Sequence, residues 1–499
     1  VDHGGEKVRG RRALILAAAV ALVATACGAR LSKSQLATIR SGTGASSGLA
    51  AGSPAAATGA SGAATGGGAS SASGGASPSG VSGAATGAGS SGGGTGAATG
   101  SKSSASGPSS GTGGSGCPAG APSSDPGVSA TSINIGMVTT LTGPVPGVFN
   151  GAVHGTQAWV NYINSQGGLC GRQVKLTPED DNLDPAQFGA QVDSLKNKVF
   201  AFVGNFSVVD EGGSQQLQAS GAPDISYALS AAHEAIPNNF SPQPAPPGWP
   251  LGAFNYFKQR FGPSVITKMA LFIQNAGSVT ATGLAEKAAA ESVGYKFVFS
   301  ETAVEPTQTD FTNEVNTMQR DGVQGILFVG DAQAMGEMAS QMYSAGYKIP
   351  LGNWGANAYD PLFLQQAGPG AEGAILNQDL ALYGGEDAAT VPEVKTFDDW
   401  FHRSYPGATP DIFAAYGWLD GLMFAQAVNG AGALSRPAVL KFLQGLTNFT
   451  GNGMIATDGP GTKTPPTCYT LIDVKGGKFV RDKDNPSGYR CGDGGYFRT

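Results

Sequence analysis

Residues 133–204 read INIGMVTTLTGPVPGVFNGAVHGTQAWVNYINSQGGLCGRQVKLTPEDDNLDPAQFGAQVDSLKNKVFAFVG. A short apolar run at 133–138 is followed by a turn rich in Thr, Gly and Pro, and then by residues 151–165, whose apolar positions recur at helical spacing. A second run at 174–176 precedes a helical stretch at 185–196, opened by Asp184-Pro185, and a third run fills 199–204. Strand then helix, repeated with no hairpin turn between strands, calls for a parallel sheet covered by helices on both faces. The expectation for this stretch is therefore a βαβ unit in which 133–138 and 174–176 are parallel neighbours.

Downstream the alternation continues. Residues 223–227, 269–273, 297–300, 326–330 and 349–351 read as buried strands, and 213–220, 251–261, 283–293, 311–320 and 335–345 as the helices between them. So many units exceed one sheet of ordinary width, so the fold class is α/β with two doubly wound lobes. The Pro-rich interruption 241–250 reads as the approach to an interlobe crossover or as a decorated surface loop. After Leu380 the pattern turns to longer helices at 391–404, 411–427 and 435–445, the last two announced by Pro410-Asp411 and Ser435. A strand pair at 468–474 and 478–481 about Gly476-Gly477 completes the reading.

Upstream, about 41–125 is nearly all Gly, Ala, Ser and Thr, without the aromatic and branched side chains that offset the entropy of ordering a backbone. It reads as a tether of about 85 residues with an average reach of roughly 50 Å. Before it, Lys7, Arg9, Arg11 and Arg12 form a positive region, and 13–23 is an apolar run leading to Ala24-Thr25-Ala26-Cys27. This is export-signal architecture, shorter than the ~20 apolar residues of a membrane span. The small residues before Cys27 resemble a bacterial lipobox, which implies lipidation of Cys27; a plain secretory signal cleaved near Ala26 is the alternative. The division expected is 1–26 signal, 27–125 tether and 126–499 folded head, with lobe 1 at about 126–255 and 375–453 and lobe 2 at about 256–374 and 454–499.

The chain carries 30 basic and 36 acidic residues; without 1–26, which hold four bases and two acids, the balance is −8. A mildly acidic chain with no basic run interleaved with aromatics excludes nucleic acid as the expected partner. Setting Cys27 aside leaves Cys117, Cys170, Cys468 and Cys491, an even number suited to an oxidising compartment. Three pairings are possible. Cys117–Cys170 suits the shared edge of the first two strands, and Cys468–Cys491 would staple the last strand pair. A metal site is not expected, since no C-x-x-C spacing or nearby histidine accompanies them.

Ile135-Gly136, Leu141-Thr142-Gly143-Pro144, residues 163–172 (INSQGGLCGR) and Asp180-Asp181 with Pro185 resemble the opening of branched-chain-amino-acid-type periplasmic binding proteins. The likeness continues through Thr309-Asp310-Phe311, residues 325–330 (GILFVG) and 345–350 (AGYKIP), in the same order along about 133–480. The resemblance implies the type I fold, two Rossmann-like lobes joined by three crossovers with a ligand cleft between them. It also implies a monomeric solute-binding component that passes a small molecule to an ABC permease complex at the membrane, with no cofactor. A ligand-sensing or adhesive surface protein would use the same fold.

Ligands of open α/β sheets sit beyond the carboxyl ends of strands, so candidate contacts follow the strands. Thr139, Thr140 and Thr142 follow the first strand, where they contact ligand or satisfy the turn. Ser207 stands where relatives commonly receive a ligand carboxylate, and Ser207-Val208-Val209-Asp210 also matches a helix cap. Ser230 is the next hydroxyl along that edge, after Tyr227. In the second lobe Ser278 and Thr280 follow a strand, and Asp331 lies where the amino-acid binders carry a tyrosine. Trp354, in Gly352-Asn353-Trp354-Gly355, occupies the position at which such binders often place a glutamate for the ligand's ammonium. Either Asp331 supplies the negative charge, or Trp354 stacks on a less polar solute; a core role for Trp354 is the third option.

Catalysis is not expected. His3, His154, His233 and His402 show no HExxH spacing, and no Walker loop appears; the GxSxG and GxGxxG spacings of the Gly/Ser tract and the GxGxxG spacing at 368–373 do not follow a strand and open a helix, as those motifs require. Asp180, Asn182 and Asp184 have calcium-loop spacing, but Gln191 stands in place of the closing glutamate, so these acids read as turn and helix-start residues.

Overall fold

The computed structural model describes Cys117, residues 120–143, Gly147 and residues 149–499. The signal, Cys27 and the tether before Cys117 lie outside the described residues, whereas Cys117 and residues 120–125, expected as the end of the tether, are described and join the head: Cys117 is bonded to Cys170, and the Ala121 carbonyl accepts from Arg172 at 2.7 Å.

Two sheets organise the head. The first holds β1 (Ser132–Thr139), β2 (Gln173–Asp180), β3 (Ala201–Val203), β4 (Asp224–Ile225) and β5 (Asn239–Phe240), all parallel in the order β2-β1-β3-β4-β5. β1 and β2 pair from Ser132↔Gln173 to Thr139↔Asp180, the βαβ unit expected of the opening stretch. The second sheet runs β13-β12-β11-β10-β9-β7-β8. Its members are β7 (Met269–Gln274), β8 (Phe297–Val304), β9 (Gly325–Val329), β10 (Leu351–Asn353), β11 (Ile375–Gln378), β12 (Thr470–Lys475) and β13 (Lys478–Arg481). The last two are antiparallel additions that turn at Gly476 and Gly477, both at positive φ.

Helices cover the faces. α1 (Asn150–Ser165) packs closely on α10 (Ile412–Gly430) because small residues line the contact. A Cβ at Gly155 would stand 1.9 Å from the Ala414 carbonyl oxygen, and one at Gly417 would stand 2.4 Å from that of Ala152. α10 is apolar nearly all round and correspondingly buried, with Trp418 and Phe424 in the core. Its start is fixed by Asp411, which accepts the Ala414 N–H. α2 (Pro185–Leu195) is capped the same way by Asp184, so this acid serves the helix start.

The chain passes between the sheets three times, at boundaries that differ from those expected. Helix α4 (Gly252–Phe261) buries Phe254 and Phe257 with Met269, Leu271 and Leu471 of the second sheet, so the first passage is the Pro-rich segment before it rather than a point near 255. β11 pairs with β10 and β12, which keeps Ile375–Gln378 in the second half, and the second passage follows Gln378. A four-residue strand carries too little pattern to mark that boundary in the sequence. The second and third passages lie side by side: Leu380 bridges Ile455, and the Ala456 N–H donates to the Asp379 carbonyl at 2.7 Å. The Pro-rich segment also contains β6 (Gly248–Pro250), which pairs with β14 (Tyr496–Arg498). Gly248 is required there, since a Cβ would meet the Phe497 carbonyl oxygen at 1.9 Å.

Cys117 is bonded to Cys170 and Cys468 to Cys491. The second bond ties the entry to β12 to the loop before β14, beside the Tyr469↔Arg490 bridge.

Candidate functional site

The carboxyl ends of strands from both sheets converge on a cavity of about 260 Å³. Phe206 and Val208 follow β3, Tyr227 and Leu229 follow β4, Gly330 follows β9, Gly355 to Asn357 follow β10, and Asn377 to Asp379 close β11. The first turns of α10 add Phe413 and Tyr416. Each of these loops begins where a buried strand leaves its sheet, so the topology itself aims them at one another.

Aromatic rings dominate the first-half wall. Phe206 stacks on Tyr227 with centroids 5.0 Å apart and an interplanar angle of 5°, and Tyr227 stacks on Tyr416 at 5.0 Å. Phe413 meets Phe149 edge-on at 4.9 Å and Phe206 at 5.0 Å. Such a wall presents a broad apolar face to a ligand.

Two carboxyl groups interrupt it. Asp379 accepts from the Tyr416 hydroxyl at 3.1 Å and from the Gln243 side-chain amide, and burial pushes it up to about 6. Glu286 projects from α5 (Ser278–Ser292), is 7% exposed, and is pushed up to about 8 by burial. Lys, Arg and His are missing from the described residues that line the cavity.

The loop carrying Tyr227 and Leu229 is held from beneath. Asp210 accepts the Leu229 N–H at 2.7 Å and the Ser230 N–H at 3.3 Å, and its carboxylate also meets His233 Nδ1 at 2.9 Å. His233 Nε2 meets Asp224 at 2.6 Å. Burial opposes a charge on the imidazole, but Asp224 and Asp210 outweigh it and push His233 up to about 10.

The residues singled out from sequence fall mostly outside this cavity. Thr139 donates to the Phe206 carbonyl at 2.6 Å, and Thr140 and Ser207 share a hydrogen bond of 3.3 Å beneath the loop. Ser207 also accepts the Val209 N–H, the local capping role. Thr142 is exposed and tied to Asp180 through both its N–H and its hydroxyl. Thr280 donates to the Gln274 carbonyl at 3.3 Å. Asp331 caps α7 (Ala332–Ser344) through the Ala334 N–H and accepts from Gln274 at 2.6 Å. Trp354 is 4% exposed and packs between Phe328 and Phe363, the core role. Ser230 caps residues 231–234 and borders a second cavity, and Ser278 lines the first. The common cause is that hydroxyls and carboxylates at helix starts are consumed by backbone N–H groups.

Sequence reasoning missed Gln243, Glu286, Asp379 and Tyr416. Glu286 left one signal: it is a lone acid at helical spacing with Gly283, Ala289 and Ala290, the buried face of its helix.

The sequence matches the profile of a family described as periplasmic binding protein over residues 132–478. A search of curated proteins found no match. Among solved structures, the branched-chain amino acid transporter substrate binding protein of Streptococcus pneumoniae in complex with isoleucine is 19% identical, with a TM-score of 0.57, covering 70% of this chain and 98% of its own. The fatty acid ABC transporter substrate-binding protein of Thermomonospora curvata is 20% identical, with a TM-score of 0.59, covering 75% and 94%. The branched chain amino acid ABC transporter of Thermus thermophilus with bound valine is 15% identical, with a TM-score of 0.60, covering 74% and 97%. At such identities the likeness establishes the shared fold, while the profile match spans well over half of the sequence. The chain belongs to the periplasmic binding protein family, whose members bind solutes and are not enzymes.

Proposed function

We propose that this chain is the extracytoplasmic substrate-binding component of an ABC importer, held at the outer face of the membrane through Cys27 and the Gly/Ser/Ala tether. The observation that carries the reading is the cavity between the strand ends of the two halves, with its stacked Phe206, Tyr227 and Tyr416. Burying apolar ligand surface there contributes roughly 25 cal/mol per Å². The halves would close around the solute about the three connecting segments, and excluding water would strengthen the polar contacts to Asp379 and Gln243. That structural neighbours are substrate-binding proteins for fatty acids and for branched-chain amino acids agrees with a small organic ligand of substantial apolar surface. Of the residues chosen from sequence, Ser230 remains a proposed contact on the rim shared with the second cavity.

The test is a thermal-shift and small-angle-scattering screen of the whole chain against amino acids, amides, amines and fatty acids. A binding solute is expected to raise the melting temperature by mass action and to contract the head. An unchanged melt and an unchanged scattering profile across the panel would sink the reading.

A further inference from the structure

Beside the first cavity lies a second of about 280 Å³. Pro244, Pro246, Pro247 and Pro250 of the first connecting segment wall one side, and Ala281 and Ala285 of α5 face them. Tyr227, Leu229, Gln243, Trp249, Thr282 and Pro466 border both spaces, so the two chambers adjoin. Each chamber alone is smaller than the roughly 300–1,000 Å³ of small-molecule sites, and the pair together falls within that range.

Glu286 stands at the junction. It lines the first chamber, while the adjacent Ala285 lines the second. Although 93% of the residue is buried, on an exposure of 7%, no described residue hydrogen-bonds or ion-pairs with its carboxyl group. A buried carboxyl without a partner costs stability unless something else meets it. With Asp379 as the other carboxyl of the first chamber, the polar spots favour a hydrogen-bond donor or a cation and disfavour an anion.

Resting on the solute-binding reading, we propose that the ligand is an elongated amphipathic molecule without net negative charge, which spans both chambers. Its donor or cationic group meets Glu286, and its apolar length runs on against the proline wall of residues 244–250. A cationic group bound beside Glu286 would offset the burial that pushes the carboxyl up and favour its ionised, accepting form.

The experiment measures affinities of the whole chain for linear primary amines from butylamine to decylamine, for carboxylic acids of equal length, and for leucine. Three variants accompany it: Ala285→Phe and Ala281→Phe, which fill the second chamber alone, and Glu286→Gln. Melts without ligand establish that each is folded, and two filling variants guard against one failing to fold. Affinity is expected to climb with amine length. The filling variants should remove that climb and leave butylamine unaffected, and Glu286→Gln should reduce the preference for amines over acids by about tenfold or more. Affinity independent of length, or carboxylates binding the native chain as tightly as amines, would overturn the proposal. Leucine bound as tightly as decylamine, with the head closing, would overturn it and leave the solute-binding reading standing. Failure of every probe to bind or to close the head would remove both.

Discussion

Two sets of buried acids in this molecule are treated in opposite ways. Asp224 is met on one oxygen by Asn205 and Ser226 and on the other by His233 and Asn239. Asp210 places one oxygen against His233 and two backbone N–H groups. A cation and its donors make these charges tolerable, and the cluster fixes the loop bearing Tyr227. Glu286, also buried, receives nothing from the described chain, and Asp379 receives the Tyr416 hydroxyl, the Gln243 amide and its own backbone N–H but no cation. The first set is paired with a cation inside the protein and holds shape, although the second oxygen of Asp210 has no hydrogen-bond partner among the described residues. The second faces empty space and retains capacity for something from outside.

The contrast can be broken most forcefully at His233. His233→Ala should leave Asp210 and Asp224 as buried charges without their cation and lower stability by about 3–5 kcal/mol in denaturant titrations. The folded imidazole is raised from 6.5 to about 10, so its contribution is complete below about pH 6.5 and lost as pH rises through about 10. The gap between native and variant should therefore narrow over that window; a constant gap would deny the imidazolium its role.

Glu286→Gln should act in the other direction. The folded carboxyl is raised from 4.5 to about 8, so the native chain loses stability as pH climbs through that interval, and the amide does not. The variant is expected to be more stable at pH 8, by on the order of a few kcal/mol in denaturant titrations, and to match the native chain near pH 4.5. A variant less stable at pH 8 would mean that this acid is satisfied after all.

A smaller effect is expected from Tyr416→Phe, which takes one donor from Asp379. The loss should be about 1–3 kcal/mol, accompanied by weaker ligand-induced stabilisation. Asp331→Ala should be milder still, about 1 kcal/mol from a lost helix cap, with ligand affinity unchanged. A loss of affinity with the melt intact would instead restore Asp331 to the cleft.

Much of the architecture was readable in the chain. β1, β7 and β9 stand out as apolar runs, and Asp184, Asp411 and Ser435 announce their helices. β5, β6 and β14, each two or three residues long, were not readable, because so short a segment has no period to display. The cavity was less legible than the fold. Ser207, Asp331 and Trp354 look functional by position, yet local backbone N–H groups or neighbouring rings occupy them. Tyr416 and Glu286 look like ordinary helix residues, and nothing near them in sequence shows that they border a cavity.

The order of strands and helices, the two-sheet plan and the acidic balance are properties of local pattern and composition, and the linear chain determines them because periodicity and propensity act over a few residues at a time. Which acids lack a partner, which rings stack and where two chambers adjoin depend on contacts among residues 206, 227, 243, 286, 379 and 416. Those positions meet only when both sheets have formed and the chain has passed between them three times. Partnering in a buried space is a property of three-dimensional neighbours, so the tertiary structure alone decided it.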